Sequence, residues 1–399
     1  MAVLPPSMSP PSAPRGFRVG TARAGIKPGA KRKDLALIVA DVPCAAAGVF
    51  TTNEVRAACI EMAKARIQQG TAQAIVVNSG NANCLSGAQE RAWSEQMADA
   101  AAAAVGTLPQ LVLPASTGVI GEPFPIDRVV PAIDLAARSL DRSPQAWMAA
   151  ADAIRTTDTF AKWGSVEGDG WSIVGIAKGS GMIHPRMATM LAFFATDLAV
   201  PAPTLQAALH EAVRRSFHRI SVDGDTSTND CAIALAHPQG VEATPERVER
   251  FAEALALLAQ QLAQLIVRDG EGATKFVTVA VTGARSEEQA EAVLRAIATS
   301  PLVKTALAGS DANWGRILAA AGSAGAGIQR ERLTLWADGV KIVERGARAP
   351  SYREEDGMRI FAQAEFTITL DLGLGSASAT GWMCDLSYEY VRINAEYRT

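Results

Sequence analysis

The stretch Lys178-Gly-Ser-Gly-Met-Ile-His-Pro-Arg-Met-Ala-Thr-Met-Leu-Ala-Phe-Phe-Ala-Thr-Asp197 concentrates more usable chemistry than any other part of the chain. Small-residue turns flank Thr189, which stands directly before an apolar run over 190–195. A threonine hydroxyl is a weak nucleophile unless a base sits beside it. Cutting the chain just before the threonine supplies one, because the freed α-amine can take the hydroxyl proton. An α-amine has a pKa of about 7.7–8.0, so a useful fraction is neutral near neutral pH. Ala188 offers a small, uncluttered carbonyl for such a cut. On residue chemistry alone, Thr189 competes with the commoner reading of a structural threonine that leads a strand.

Other groups invite chemistry and are better read as structure. Cys44, Cys59, Cys84, Cys231 and Cys384 are scattered, with no C-x-x-C pair, which suits a reducing compartment rather than a disulfide framework. Cys84 has no histidine near it in sequence and reads as a buried thiol. Four histidines without H-x-x-x-H or H-E-x-x-H spacing make no zinc site. Asp223-Gly-Asp-Thr-Ser-Thr-Asn-Asp230 has the carboxylates of a calcium loop. It lacks glycine at the sixth position (Thr228) and glutamate at the twelfth (Ala234), and reads instead as a hydrogen-bonded turn near the site. Gly373 and Gly375 follow a strand without a helix or a third glycine, so they make no dinucleotide site. The glycines and Lys275 of 269–275 do not have Walker spacing, and His184 and Arg186 read as loop residues.

The elements that must hold these groups follow from periodicity and turn chemistry. Strands are expected over 35–39, 74–77, 111–113, 171–177, 190–195, 276–281 and 364–372, the last alternating apolar and polar residues. Helices are expected over 91–105, 127–140, 144–155, 204–215, 245–267 and 286–299. Residues 78–83 read as a polar turn, and the short strand over 111–113 runs into Pro114-Ala-Ser-Thr-Gly118. The C-terminal third reads as strand-rich. The proline-rich start, with five prolines in its first seventeen residues, reads as an extended, mobile arm rather than a secretory signal. Hydrophobic residues make up 48% of the 399 and charged residues 20%, with a formal net charge of −3. Such a chain carries no electrostatic footprint for nucleic acid or an anionic membrane, and no run long enough to span one, so a cytoplasmic location is expected.

The 178–197 segment resembles the signature of the ornithine acetyltransferase family, arginine-biosynthesis enzymes that mature by autoproteolysis inside Met-Ala-Thr-Met-Leu. The resemblance runs along almost the whole chain. It includes residues 78–84, 116–121, 156–159, 222–230, 269–275, 310–316 and 394–399, in the family's order. It implies an α+β fold of large mixed β-sheets covered by helices, with a smaller strand-rich C-terminal domain. It implies cleavage between Ala188 and Thr189 into two chains. The α chain, 1–188, would hold the arm (1–14) and an α/β core. The β chain, 189–399, would hold a core strand (189–200), a helical segment (201–275), the C-terminal domain (about 276–385) and a tail (386–399) returning to the active site.

By the same resemblance, Thr189 takes acetyl from N-acetylornithine as an ester and glutamate's amine then removes it. Thr117 and Gly118 correspond to an oxyanion hole. Thr156, Lys178, Thr189, Glu271, Asn394 and Thr399 correspond to substrate-binding residues, with Lys178 suited to a carboxylate and Glu271 to an ammonium group. The resemblance implies no metal or cofactor and an α2β2 heterotetramer. Two forms of the enzyme stay open: one that only exchanges acetyl between the two amino acids, and a bifunctional one that also accepts acetyl-CoA as co-substrate. The rival readings are an N-terminal-nucleophile aminopeptidase or amidase of the same architecture, and a non-catalytic binding module.

Overall fold

Residues 191–195 are apolar at every position, and the computed structural model, which describes residues 3, 5–27, 29, 31–184 and 190–396, shows why. The strand they begin lies inside a sheet buried on both faces. Ala192 and Phe194 face one hydrophobic cluster, while Leu191, Phe193 and Ala195 face another. A strand with no wet side reads as a continuous apolar run rather than an alternating one.

That sheet has eight strands. They are β1 (Phe17–Ala22), β2 (Leu35–Phe50), β3 (Thr71–Asn81), β4 (Val112–Val119), β5 (Lys162–Glu167), β6 (Ser172–Lys178), β7 (Leu191–Leu198) and, later in the chain, β9 (Cys231–Val241). Their order is β4-β3-β2-β9-β7-β6-β5, with β1 paired to β2. The β3–β4 and β7–β9 pairs are parallel and the rest antiparallel, so the sheet is mixed. One face packs on α5 (Ala202–Arg214) and α6 (Pro245–Arg268). The opposite cluster takes in α1 (Ala58–Ile67) and α4 (Pro144–Ala153). At the β2–β4 end, α2 (Glu90–Val105) and α3 (Ile126–Arg138) cover the outer side.

A second mixed sheet of seven strands holds β8 (Ile220–Ser221), β10 (Phe276–Ala284), β11 (Thr334–Ala337), β12 (Val340–Glu344), β13 (Ala347–Arg348), β14 (Glu365–Asp371) and β15 (Ala377–Cys384). Its core includes residues of α7 (Glu287–Ala298), α8 (Pro301–Ala308), α9 (Trp314–Gly322) and α10 (Glu354–Phe361). A last helix, α11 (Tyr388–Ala395), follows β15. The fold is α+β with two large mixed sheets, as expected.

Several expectations need correction. Residues 78–81 are not a turn but the end of β3, and 114–118 lie inside β4, because the two polar stretches pair with each other in parallel. Asn78 also donates from Nδ2 to the Asn81 carbonyl at 2.8 Å, so these polar residues have partners without leaving the sheet. The C-terminal third is as helical as it is stranded, since α7 to α11 all fall there. The 201–275 segment, expected to be helical, carries β8 and β9 as well. β9 was illegible because its alternating alanines, Ala232, Ala234 and Ala236, suit a helix equally well. The proline arm is not free. Ser9 accepts from the Trp163 indole at 2.9 Å and the Ser12 amide donates to Ser165 Oγ at 2.8 Å.

α6 lies close on the sheet because Gly164 and Gly175 pair across β5 and β6 beneath it. A Cβ on Gly175 would come within 2.8 Å of Phe194 and 2.9 Å of Leu262. We therefore expect Gly175→Ala to destabilise the protein by about 1–3 kcal/mol through overpacking, read from the midpoint of urea unfolding.

Candidate active site

The β3–β4 pair brings the backbone at 118 to the wall of a pocket. Gly118 adopts φ +134°, and a Cβ there would stand 2.2 Å from the Gly80 carbonyl carbon on β3. Only glycine permits that approach. Thr117, the residue before it, is buried. Lys178 closes β6, and its Nζ donates to Thr117 Oγ1 at 3.2 Å.

Thr117, Gly118, Thr156, Lys178, Glu271 and Asn394 line a single pocket of about 570 Å³, open mouth included. Five stretches of chain far apart in sequence thus meet at one place, with Thr157, Ser227, Thr228 and Asn229 beside them. Thr189, Ala188, Arg186 and Thr399 lie outside the described residues. The next residue, Met190, is buried and donates its amide to Asp230 Oδ1 at 2.9 Å. Leu191 pairs with Lys178 across β6 and β7, so the chain leaves the pocket's edge at this point.

A buried ionic group holds the lysine side of the pocket. Lys162, 0% exposed, donates to Asp158 Oδ1 at 2.7 Å and to Asp269 Oδ2 at 2.5 Å. Asp158 also accepts from the Gly179 amide at 2.7 Å and the Thr156 amide at 3.0 Å, fixing the residues on either side of the site. Burial pushes the Asp158 carboxyl up, but the Lys162 and Lys178 charges outweigh it and hold the group well below the usual carboxylate range. Asp269 sees burial more than charge, which pushes its carboxyl up from its ordinary value. For Lys178, burial lowers the pKa and the nearby Lys162 charge adds to it, against the pull of Asp158, Asp230 and Glu271.

The loop after α6 carries Glu271, whose amide donates to the Ser180 carbonyl at 2.8 Å. Asn394, on α11, donates from Nδ2 to Glu271 Oε2 at 2.8 Å. Ser387 caps α11 and donates from Oγ to the Gly272 carbonyl at 2.7 Å, so helix and loop are tied at two points. The 223–230 segment is a hydrogen-bonded turn at the site. Asp223 accepts from the amides of Met182 and Ile183 at 2.5 and 2.8 Å, clamping the loop after Lys178. Asn229 donates to the carbonyls of Ala82 and Ser116 at 2.7 and 2.9 Å, locking β3 and β4 to that turn. Sequence reasoning placed this turn near the site without naming Ser227, Thr228 or Asn229 as lining residues. Lys162 was missed entirely, since nothing in its spacing marks a buried ion pair. Cys84 is buried, and burial raises its thiol pKa, so it is no ready nucleophile. His184 is half-buried in the loop that follows Lys178.

Together these groups offer a buried cation, a carboxylate, and hydroxyls and amides lining one pocket. That set can hold a small molecule carrying both a carboxylate and an amine.

A family model, that of the ArgJ family, matches residues 18–399. The arginine biosynthesis bifunctional protein ArgJ of Symbiobacterium thermophilum is 47% identical, over 97% of this chain and 98% of that protein. The protein of the same name from Chlorobaculum tepidum is 46% identical, over 97% and 96%. The crystal structure of the arginine biosynthesis bifunctional protein argJ from Bacillus halodurans is 38% identical, covering 50% of this chain and 95% of that one, with a TM-score of 0.47.

Replacing Lys162 by methionine leaves two buried carboxylates without their shared cation. The expected loss of stability is about 3–5 kcal/mol in urea unfolding. Adding Asp158→Asn to that variant, which removes one of the stranded charges, should recover part of it. An unchanged midpoint for Lys162→Met would mean the group contributes nothing to the fold.

Proposed function

The chain belongs to the ArgJ family, and from that premise we propose that it moves an acetyl group from N-acetylornithine to glutamate through an ester on Thr189. What supports this most is the convergence of Lys178 and Glu271, a cation and a carboxylate, on the lining of one pocket. An amino-acid ligand carries the complementary pair of charges.

Maturation comes first. Thr189 Oγ attacks the Ala188 carbonyl, the peptide nitrogen leaves as an amine, and water hydrolyses the resulting ester, giving chains 1–188 and 189–399. The new amine is the base for turnover. It takes the Oγ proton as Oγ adds to the acetyl carbonyl of N-acetylornithine. The Thr117 hydroxyl and the Gly118 amide face the oxygen on which charge develops. Collapse returns the proton to ornithine's departing amine and leaves acetyl on Thr189. Glutamate's amine then attacks the ester by the same path in reverse. One amide replaces another, so the exchange is close to neutral and needs no cofactor, only exclusion of water from the ester. Asn394 lines that pocket, and Thr399 is assigned a substrate-binding role beside it.

The reading extends to a second donor, acetyl-CoA, consistent with the word bifunctional in the relatives' names. It also includes pairing of two copies as an α2β2 assembly in the cytoplasm. Among the described residues no helix is long and apolar enough to cross a membrane.

Intact mass spectrometry of the purified protein should show fragments 1–188 and 189–399, and Thr189→Ala a single unbroken chain without transfer. The wild type should form N-acetylglutamate from N-acetylornithine and glutamate. Ornithine released at the same rate without glutamate would instead mark a hydrolase.

The Lys178 pKa gives a pH signature. Because burial disfavours the cation, its proton leaves at a lower pH than that of an exposed lysine. kcat/KM for N-acetylornithine should therefore fall on an alkaline limb that begins below the ordinary lysine range. Lys178→Met should abolish that limb and lower kcat/KM about 100-fold or more, the cost of leaving a bound carboxylate unpaired.

A further inference from the structure

A second, smaller cleft lies on the far side of Thr156. Lys27, Arg32, Lys33 and Arg155 line it, with Asp34 the one carboxylate among its walls. Thr156 belongs to both spaces. So, in effect, does the glycine contact described above, since Gly80 lines the cleft and Gly118 the pocket.

The charges in the cleft do not cancel. Asp34 is buried and already engaged, accepting from the amides of Ala24 at 2.6 Å and Ile26 at 2.7 Å. Arg155 is paired with Asp152 at 2.6 Å, and its guanidinium donates to the Asp158 carbonyl at 3.1 Å. Lys33 donates to the neutral Thr21 hydroxyl at 2.8 Å, and Arg32 to the Arg155 carbonyl. Among the described residues, neither Arg32 nor Lys33 forms an ion pair. Burial, and after it the Arg155 charge, lowers the Arg32 pKa, with Asp152, Asp158 and Asp34 opposing. A half-buried guanidinium pressed by a second one is stabilised by an anion brought between them.

We propose that this cleft is an anion subsite holding the phosphates of a phosphorylated acyl donor, whose acyl end reaches the substrate pocket past Thr156. The inference rests on the acetyl-transfer reading above and assigns its second donor a place. A nucleotide-borne acetyl thioester, acetyl-CoA, fits that chemistry. Thr189 Oγ adds to the thioester carbonyl, the sulfur leaves and takes up the hydroxyl proton, and the products are free thiol and the same acetyl ester.

The test uses the whole purified enzyme and two acetyl donors, acetyl-CoA and S-acetylpantetheine, which lacks the phosphates. Arg32→Gln and Lys33→Gln should each raise KM for acetyl-CoA roughly three- to tenfold. Neither should change KM for S-acetylpantetheine or the rate of acetyl exchange from N-acetylornithine to glutamate. Adenosine 3′,5′-bisphosphate and, more weakly, inorganic phosphate should compete with acetyl-CoA in the wild type and less in the variants. Equal effects on both thioesters overturn the proposal, and so does an enzyme that exchanges acetyl normally but neither uses acetyl-CoA nor is inhibited by the bisphosphate. Inhibition by inorganic phosphate with acetyl-CoA kinetics untouched by either variant would mean a site for free phosphate and also overturns it. A rise in KM for N-acetylornithine would place an amino-acid carboxylate in the cleft instead. Loss of exchange in the wild type would sink the transfer reading and this inference with it.

Discussion

An ammonium group cut off from water, Lys162, stands between the carboxylates of Asp158 and Asp269, and the arrangement of the site depends on it. Removing these ions from water costs several kcal/mol each, and Coulomb attraction offsets that only where further hydrogen bonds complete the set. They do here. Asp158 accepts from Gly179 and Thr156 amides besides the lysine, and Asp269 accepts from the Thr159 amide at 3.1 Å and from its hydroxyl. Thr156 lines the pocket, and Gly179 adjoins Lys178 in its wall. The two carboxyls shift in opposite directions because Asp158 faces both Lys162 and Lys178, whereas Asp269 faces Lys162 with the charge of Asp158 nearby.

The same group explains the state of Lys178. Asp158 attracts it but is already engaged by Lys162, so burial prevails and the proton is held more loosely than usual. In the proposed reaction, a substrate carboxylate beside Lys178 supplies the missing counter-charge and raises that pKa again. Binding then stabilises the cation that does the binding, an electrostatic link between occupancy and protonation. Glu271, in the same pocket, has a neutral amide partner in Asn394 rather than a cation, which leaves its charge available to an ammonium group.

Legibility followed the physical origin of each feature. Long amphipathic helices such as α6 were readable to within a residue or so, because one apolar face repeats over several turns. The residues that line the pocket were legible through resemblance and through loop chemistry, since their side chains face the site rather than the core. Thr117 and Gly118 were found, but their setting was misread. Small and polar residues in sequence suggest a turn, yet a parallel partner strand satisfies their backbone equally well. The alanine-rich β9 had no preference strong enough to declare itself. Lys162 was invisible for a different reason. Its partners are four and 107 residues away, and only folding brings the more distant carboxylate to it.

The two walls of the pocket differ in how firmly they are held. Lys178 and Thr117 sit on strands of the large sheet, among residues buried from both sides. α11 buries none of its residues. Its described attachments to the site are polar: Ser387 to Gly272, Asn394 to Glu271, and the Tyr390 hydroxyl to Asp223 at 3.3 Å. Exchanging such bonds for bonds to water costs little, about 0.5–1.5 kcal/mol each, whereas parting the sheet would expose its apolar core. Local opening therefore concentrates at the C-terminal helix.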